Sequence, residues 1–354
     1  MKKHNFSAGP CILPQEVFQK ASESVLDYEG IGLSILEISH RSQEFTNIYE
    51  SAQNLVKKLL KLEDKFEVFF LQGGASLQFA MVPYNLMPLN NGRAIYLDTG
   101  AWANKAIKEA RKFGKVEAIK DESYKTIPSN FQIDSNAAYF HCTSNNTIYG
   151  TQMKDFPASE IPMVCDMSSD IFSRVLDYNQ FDVIYAGAQK NIGPAGSTLV
   201  IVNKDILGKT GRDIPSYLDY QQHIDKKGIY NTAPVFSIYV AILNLQWLER
   251  QGGIEALEIL NKQKSIMLYN EIDRNTMFEG FACKEDRSIM NVTFTLNNES
   301  LKDDFDKFWQ EAGISGLNGH RSVGGYRASM YNALPISSVQ ILVDCMQQFE
   351  RRFK

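Results

Sequence analysis

The sequence predicts an α/β fold: a largely parallel sheet covered by helices, followed by a smaller α+β unit. Three observations carry this reading. Short runs that are apolar throughout recur at 66–71, 94–97, 137–142, 163–165, 183–185 and 198–202. A strand buried on both faces reads in that way, and such strands belong to parallel sheets with helices on either side. Helical stretches such as 101–113 separate several of these runs. From about residue 236 the character changes to long helices with few strands between them.

Taken in order, the first helix is expected from Pro14, a favoured first-turn residue, to near Gly30. The second is clearer. Phe45, Ile48, Ala52, Leu55, Val56, Leu59 and Leu62 fall on one face at helical spacing. The alternating strands and helices follow. A long helix is then expected over 236–250, ended by Gln251-Gly252-Gly253, and a second long helix after it. A strand at 290–295, a helix at 301–312 and a last helix from about Ile336 complete the chain. The boundary between the two units falls near residue 253.

With 354 residues the chain is long enough for two modest domains. It is 44% hydrophobic and 22% charged, which is ordinary for a globular protein and excludes disorder. A net charge of −4 gives no reason to expect a nucleic-acid partner. Cys11, Cys142, Cys165, Cys283 and Cys345 are scattered and form no CxxC pair, so neither a disulfide framework nor a zinc site is expected. The five histidines show no ligand spacing, and no metal is expected. No apolar h-region follows the N-terminal lysines, and no run approaches the roughly 18 apolar residues of a membrane span. A cytoplasmic location without membrane contact is the expectation.

Ligands of an open α/β sheet lie at the carboxyl ends of its strands. Lys190 sits just past the strand end at Val183–Tyr185, followed by small residues that let a ligand approach. Desolvation there lowers a lysine's pKa and exposes the neutral nucleophile. Alone it would be an ordinary loop lysine. Asp166, which ends another buried run, changes that, because a strand-end carboxylate can hold a pyridinium nitrogen protonated. Gln72-Gly73-Gly74-Ala75-Ser76 follows a strand and opens a helix, an arrangement that suits phosphate or serves as a plain connector. Trp102 could stack on a planar ring or fill a core. Ser144–Gly150, with Thr147, offers polar donors at the same sheet edge. Two basic clusters, His40-Arg41-Ser42 and His320-Arg321-Ser322 with Arg327, could grip carboxylate or phosphate.

Together these segments resemble one family from end to end: the phosphoserine aminotransferases, within the class V, fold-type I pyridoxal-phosphate enzymes. The matching segments are Phe6–Pro10, His40–Phe45, Gln72–Phe79, Ala188–Asn191, Asn231–Pro234 and Gly319–Ala333, of which the last is the most specific. The resemblance implies a mostly parallel mixed sheet with helices on both faces. It implies a large domain over 15–253 and a small one from 1–14 and 254–354. Lys190 would be the Schiff-base lysine, Asp166 the ring-nitrogen partner and Trp102 the stacking residue. Ala75, Ser76 and Gln189 would bind cofactor phosphate, and Thr147 the region of the ring hydroxyl. Asn231 and Thr232 would reach the phosphate of a neighbouring subunit, which implies a homodimer. Arg327 would take the α-carboxylate shared by L-glutamate and 3-phosphohydroxypyruvate. His40, Arg41, His320 and Arg321 would take the distal anion. Some relatives carry an arginine where this chain has Ser76, so the local charge here is lower. The competing readings are another class V transaminase such as alanine–glyoxylate, a cofactor-binding protein without turnover, and a nucleotide-binding α/β protein. The last lacks both GxGxxG and a P-loop lysine.

Overall fold

The structure is a computed structural model that describes residues 3–354. Seven strands form the central sheet: β1 (Phe66–Leu71), β2 (Arg93–Asp98), β3 (Lys115–Lys120), β4 (Phe140–Thr143), β5 (Met163–Asp166), β6 (Val183–Gly187) and β7 (Thr198–Asn203). Their spatial order is β1-β7-β6-β5-β4-β2-β3. Only β7 runs against its neighbours, pairing antiparallel to both β1 and β6. The reason is local: residues 188–197 return the chain beside β6 without a helical crossover. Lys190 lies in that return.

The apolar runs follow from burial on both faces. Val68, Phe70, Ile95, Leu97, Phe140, Ile184 and Ile201 pack into one core with α1 (Gln15–Leu26), α2 (Gln43–Leu60) and α6 (Val235–Arg250). Their alternate neighbours Phe69, Leu71, Tyr96, Val164, Tyr185 and Val200 pack on the other side. There they meet α3 (Gly74–Leu86), α4 (Ala101–Ala110) and the short α5 (Tyr220–Asp225). Period-2 alternation sends successive side chains to opposite faces, so both faces are mostly apolar and a polar residue such as His141 is buried with a hydrogen-bond partner, the Tyr185 hydroxyl.

A third core gathers α7 (Gly253–Arg274), α8 (Lys302–Glu311), α9 (Ile336–Phe353) and a three-stranded antiparallel sheet. Those strands are β8 (Phe278–Gly280), β9 (Asn291–Leu296) and β10 (Tyr326–Ser329). The N-terminus joins this core. His4–Asn5 pairs parallel to Ile314–Ser315, and Phe6 is fully buried among its residues. No described helix is long and apolar enough to cross a membrane.

Several elements differ from the sequence expectation. The first helix ends at Leu26 rather than near Gly30, because Asp27 turns to extended backbone. Pro14 caps it from outside the first turn. Leu62 lies beyond the second helix, which Lys61 closes in the left-handed conformation, yet Leu62 still packs on the core. The helix expected over 101–113 stops at Ala110. β4 begins at Phe140, although the residues from Ala137 are already largely buried. Strand β3 was not expected. It lies at the sheet edge, where Lys115, Glu117 and Lys120 point to solvent and break the apolar run. The short strands β8 and β10 give no period long enough to read.

Candidate active site

Five chain segments meet at the carboxyl edge of the parallel strands. After β1 come Gln72 and the start of α3; after β2, Trp102; after β4, Ser144–Thr147. Asp166 ends β5, and Lys190 follows β6. In sequence they span residues 72–190. Only the parallel topology brings them to one cavity of about 160 Å3.

The turn after β1 requires glycine. Gly73 has φ +94°, and a Cβ there would stand 2.6 Å from the Leu77 side chain. Gly74, Ala75 and Ser76 then form the first turn of α3, whose backbone N–H groups have no helical partners of their own.

Lys190 is held from both ends. Its ammonium donates to Thr147 Oγ1 at 2.8 Å. Behind it, the Cys11 thiol donates to the Lys190 carbonyl, and the Cys11 N–H to the Gln189 carbonyl. The N-terminal segment therefore grips the loop that carries the lysine. Burial pulls the Lys190 pKa down to about 8; the Asp166 carboxylate opposes the shift and the Arg327 charge adds to it. Asp166 is 5% exposed, and its Oδ1 accepts the Ser168 N–H at 2.9 Å. Burial raises its pKa, opposed by the bonds from Ser168 and by the charge of Lys190.

These shifts give a direct expectation for the cofactor-free protein. Labelling of Lys190 by an amine-directed acylating reagent should titrate near pH 8, well below an ordinary lysine. Peptide-resolved labelling rates between pH 6 and 11 measure this. A midpoint near 10.5 would remove the claim that burial activates this amine.

Ala75, Ser76, Trp102, Thr147, Asp166, Gln189 and Lys190 all line the one cavity. So does Asn145, within the polar run 144–150, and so do Thr143, Ser168 and Ser169, to which sequence reasoning gave no role. Their signal was position alone: each adjoins a strand end already singled out. Trp102 also carries the Lys105 ammonium 4.2 Å from its ring centroid.

The remaining candidates lie elsewhere in the chain. Thr232 and His40 line a separate groove of about 390 Å3, and Arg41 is exposed. Asn231 bonds to the hydroxyl of Tyr217, which in turn donates to Gln72 at 2.6 Å. His320 bonds Ser322 in the turn before β10, and Arg321 is exposed there. Arg327 lies on β10 facing Thr293 in register, with a buried Nε that has no partner. One chain thus assembles the Lys190 cavity, while Asn231, Thr232, His40, Arg41, His320, Arg321 and Arg327 do not line it.

The cavity's residues fit the pyridoxal phosphate that the sequence resemblance implies. An activated amine can bond an aldehyde, a buried carboxylate can face a protonated ring nitrogen, and a helix N-terminus can take phosphate. Thr143 Oγ1, buried on the cavity wall, has no hydrogen-bond partner of its own. A lysine and a carboxylate so placed fit a pyridoxal-phosphate enzyme; the chain matches the class V aminotransferase family over residues 3–342 and belongs to it. The phosphoserine aminotransferase of Flavobacterium psychrophilum is 63% identical over 356 residues, covering 99% of this chain and 100% of its own. The structure of phosphoserine aminotransferase from Bacillus circulans subsp. alkalophilus superposes with TM-score 0.96 at 42% identity, covering 100% and 99%. That of PLP-bound phosphoserine aminotransferase from Trichomonas vaginalis gives 0.93 at 33%, covering 98% and 100%. Within class V, this chain belongs with the phosphoserine aminotransferases.

Proposed function

We propose that the chain catalyses reversible transamination of 3-phosphohydroxypyruvate with L-glutamate, giving O-phospho-L-serine and 2-oxoglutarate, with pyridoxal phosphate in the Lys190 cavity. The observation that carries this is the buried pair of Lys190 and Asp166 in one cavity, at the edge where a glycine turn opens α3. Bound there, the cofactor supplies an aldehyde for amine capture and a ring that draws electrons from the substrate α-carbon. Lys190, once free, moves the α-proton as base and then acid. A pKa near 8 leaves it able to do both close to neutrality. Asp166 holds positive charge at the ring nitrogen. Ala75, Ser76 and Gln189 hold phosphate, Trp102 covers the ring face and Thr147 orients the lysine. The same site would take the phosphorylated four-carbon oxo acid of pyridoxine biosynthesis. The enzyme would work in the cytoplasm, with residues 15–253 as the cofactor domain and 1–14 with 254–354 as the small domain.

The two substrates share an α-carboxylate and differ at the distal anion. Arg327 takes the first, and Arg321 with His320 and the His40–Arg41 cluster takes the second. Arg327→Ala should weaken both half-reactions together. Arg321→Ala should lower kcat/KM for phosphohydroxypyruvate by about 10–100-fold, the worth of one charge-assisted bond. It should leave hydroxypyruvate nearly unchanged. Equal losses on both acceptors would deny Arg321 a phosphate role and favour a transaminase of the alanine–glyoxylate type.

Asn231 and Thr232, with one of the two basic clusters, would reach the site from a second copy of the chain. A homodimer is therefore expected, with cofactor affinity that falls on dilution. Sedimentation equilibrium with and without cofactor measures this; a fully loaded, active monomer would contradict it.

A further inference from the structure

Lys264 on α7 is completely buried, and none of its partners is a carboxylate. Its ammonium donates to the carbonyls of Met330 at 3.0 Å, Tyr331 at 2.9 Å and Leu334 at 3.3 Å. Three acceptors match the three N–H bonds of an ammonium. Burying a lysine costs several kcal/mol unless its charge is compensated, and a methionine of similar length would pack there without that cost. Burial pulls its pKa down to about 7, and all of its donors go to one short segment.

That segment joins the two sides of the site. It leaves β10, which carries Arg327 three residues before Met330. The Asn332 N–H donates to the Asn191 side chain at 3.0 Å, and Asn191 is the residue after Lys190. The Asn332 side chain donates to the Phe172 carbonyl and accepts from Asn261, one turn before Lys264 on α7. The Tyr331 hydroxyl donates to the Ala8 carbonyl and accepts from Asn291. The residues joined by these bonds are buried except Ala8, and Arg327 is half-buried. Met330 and Leu334 pack into the third core, and these bonds tie the segment between them to the lysine loop.

We propose that Lys264 is a positioning residue of the active site: its three bonds fix the 330–334 segment, and through Asn332 and Asn191 set the placement of Lys190 relative to Arg327. The proposal rests on the transaminase reading only for its kinetic readout. A shift of about 1 Å between groups that act on one substrate costs on the order of 10²-fold in rate.

The test uses Lys264→Met, Lys264→Gln and Asn332→Ala in the full-length holoenzyme and in its cofactor-free form. Hydrogen exchange is followed on peptides covering 188–193, 326–334 and, as a control, 43–60 in α2. In Lys264→Met, exchange should speed up on the first two peptides and not on the control. Its kcat/KM for glutamate and for phosphohydroxypyruvate should fall by about 10–100-fold. Lys264→Gln, which keeps two donors, should recover part of both effects. Asn332→Ala should reproduce the 188–193 change, and the double variant should lose less than the product of the single losses, since both act through one link. A lower melting temperature with unchanged kcat/KM and unchanged exchange at 188–193 would make Lys264 a purely structural lysine and overturn the proposal. If Lys264→Met does not fold, Asn332→Ala decides by the same two readouts. A wild-type protein that fails to transaminate glutamate sinks the functional reading instead, while exchange at 188–193 still tests the link.

Discussion

Replacing Lys190 with alanine should slow turnover by about 10²–10⁴-fold, the range lost when a positioned acid–base group is removed. The structure explains why no other residue should take over. Lys190 is the one amine that lines the cavity among the described residues, and Thr147 alone receives its ammonium there. Water cannot substitute well, because the cavity is small and walled by Trp102 and the α3 turn. Cofactor should still bind, since phosphate, ring face and ring nitrogen keep their own partners. A small primary amine added in solution should restore part of the rate by entering the space the side chain leaves. The decisive measurement is single-turnover formation of 2-oxoglutarate from glutamate by Lys190→Ala, with and without added amine. A variant within tenfold of wild type would show that another group moves the proton.

Asp166→Asn should cost about 10²–10³-fold in the same step, comparable with losing one preorganised electrostatic partner. An amide fills the same space but carries no charge to hold the ring nitrogen protonated. The same substitution should stabilise the cofactor-free protein. Burial raises the Asp166 pKa above 3.8, so the folded state holds its proton more tightly than the unfolded chain. Stability therefore falls as pH rises from the ordinary carboxylate pKa through the raised one, and the penalty is complete above the raised one. Asparagine removes it. The melting temperature of cofactor-free Asp166→Asn should exceed wild type at pH 7, with the gap closing towards pH 4. A lower melting temperature at pH 7, or near-native turnover, would each remove Asp166 from this role. The pairing of lost activity with gained stability is what a strained functional carboxylate predicts.

Much of this architecture is legible in the chain. The six apolar runs each mark a strand of the central sheet, because double-sided burial leaves a signature that needs no partner to read. Asp166, Lys190 and the glycine turn were legible because strand ends in such sheets face the ligand. The edge strand β3 was not, since one solvated face mixes lysine and glutamate into its run. Lys264 and Asn261 were equally hidden. On a helix they share a stripe with Leu257 and Leu268, all four buried, yet in sequence they look like its wet side.

The sequence by itself determined local matters: where strands and helices run, where glycine must stand and which residues could do amine chemistry. Tertiary structure alone decided which of them meet. It set Lys190 against Thr147, put Cys11 behind the lysine and ran Asn332 to Asn191. It also kept His40, Arg41, Asn231 and Thr232 away from the cavity of their own chain. Secondary structure follows from periodicity over a few residues. A site built from segments 72 to 332 depends on strand order, on one antiparallel return and on buried hydrogen bonds whose partners are far apart in the chain.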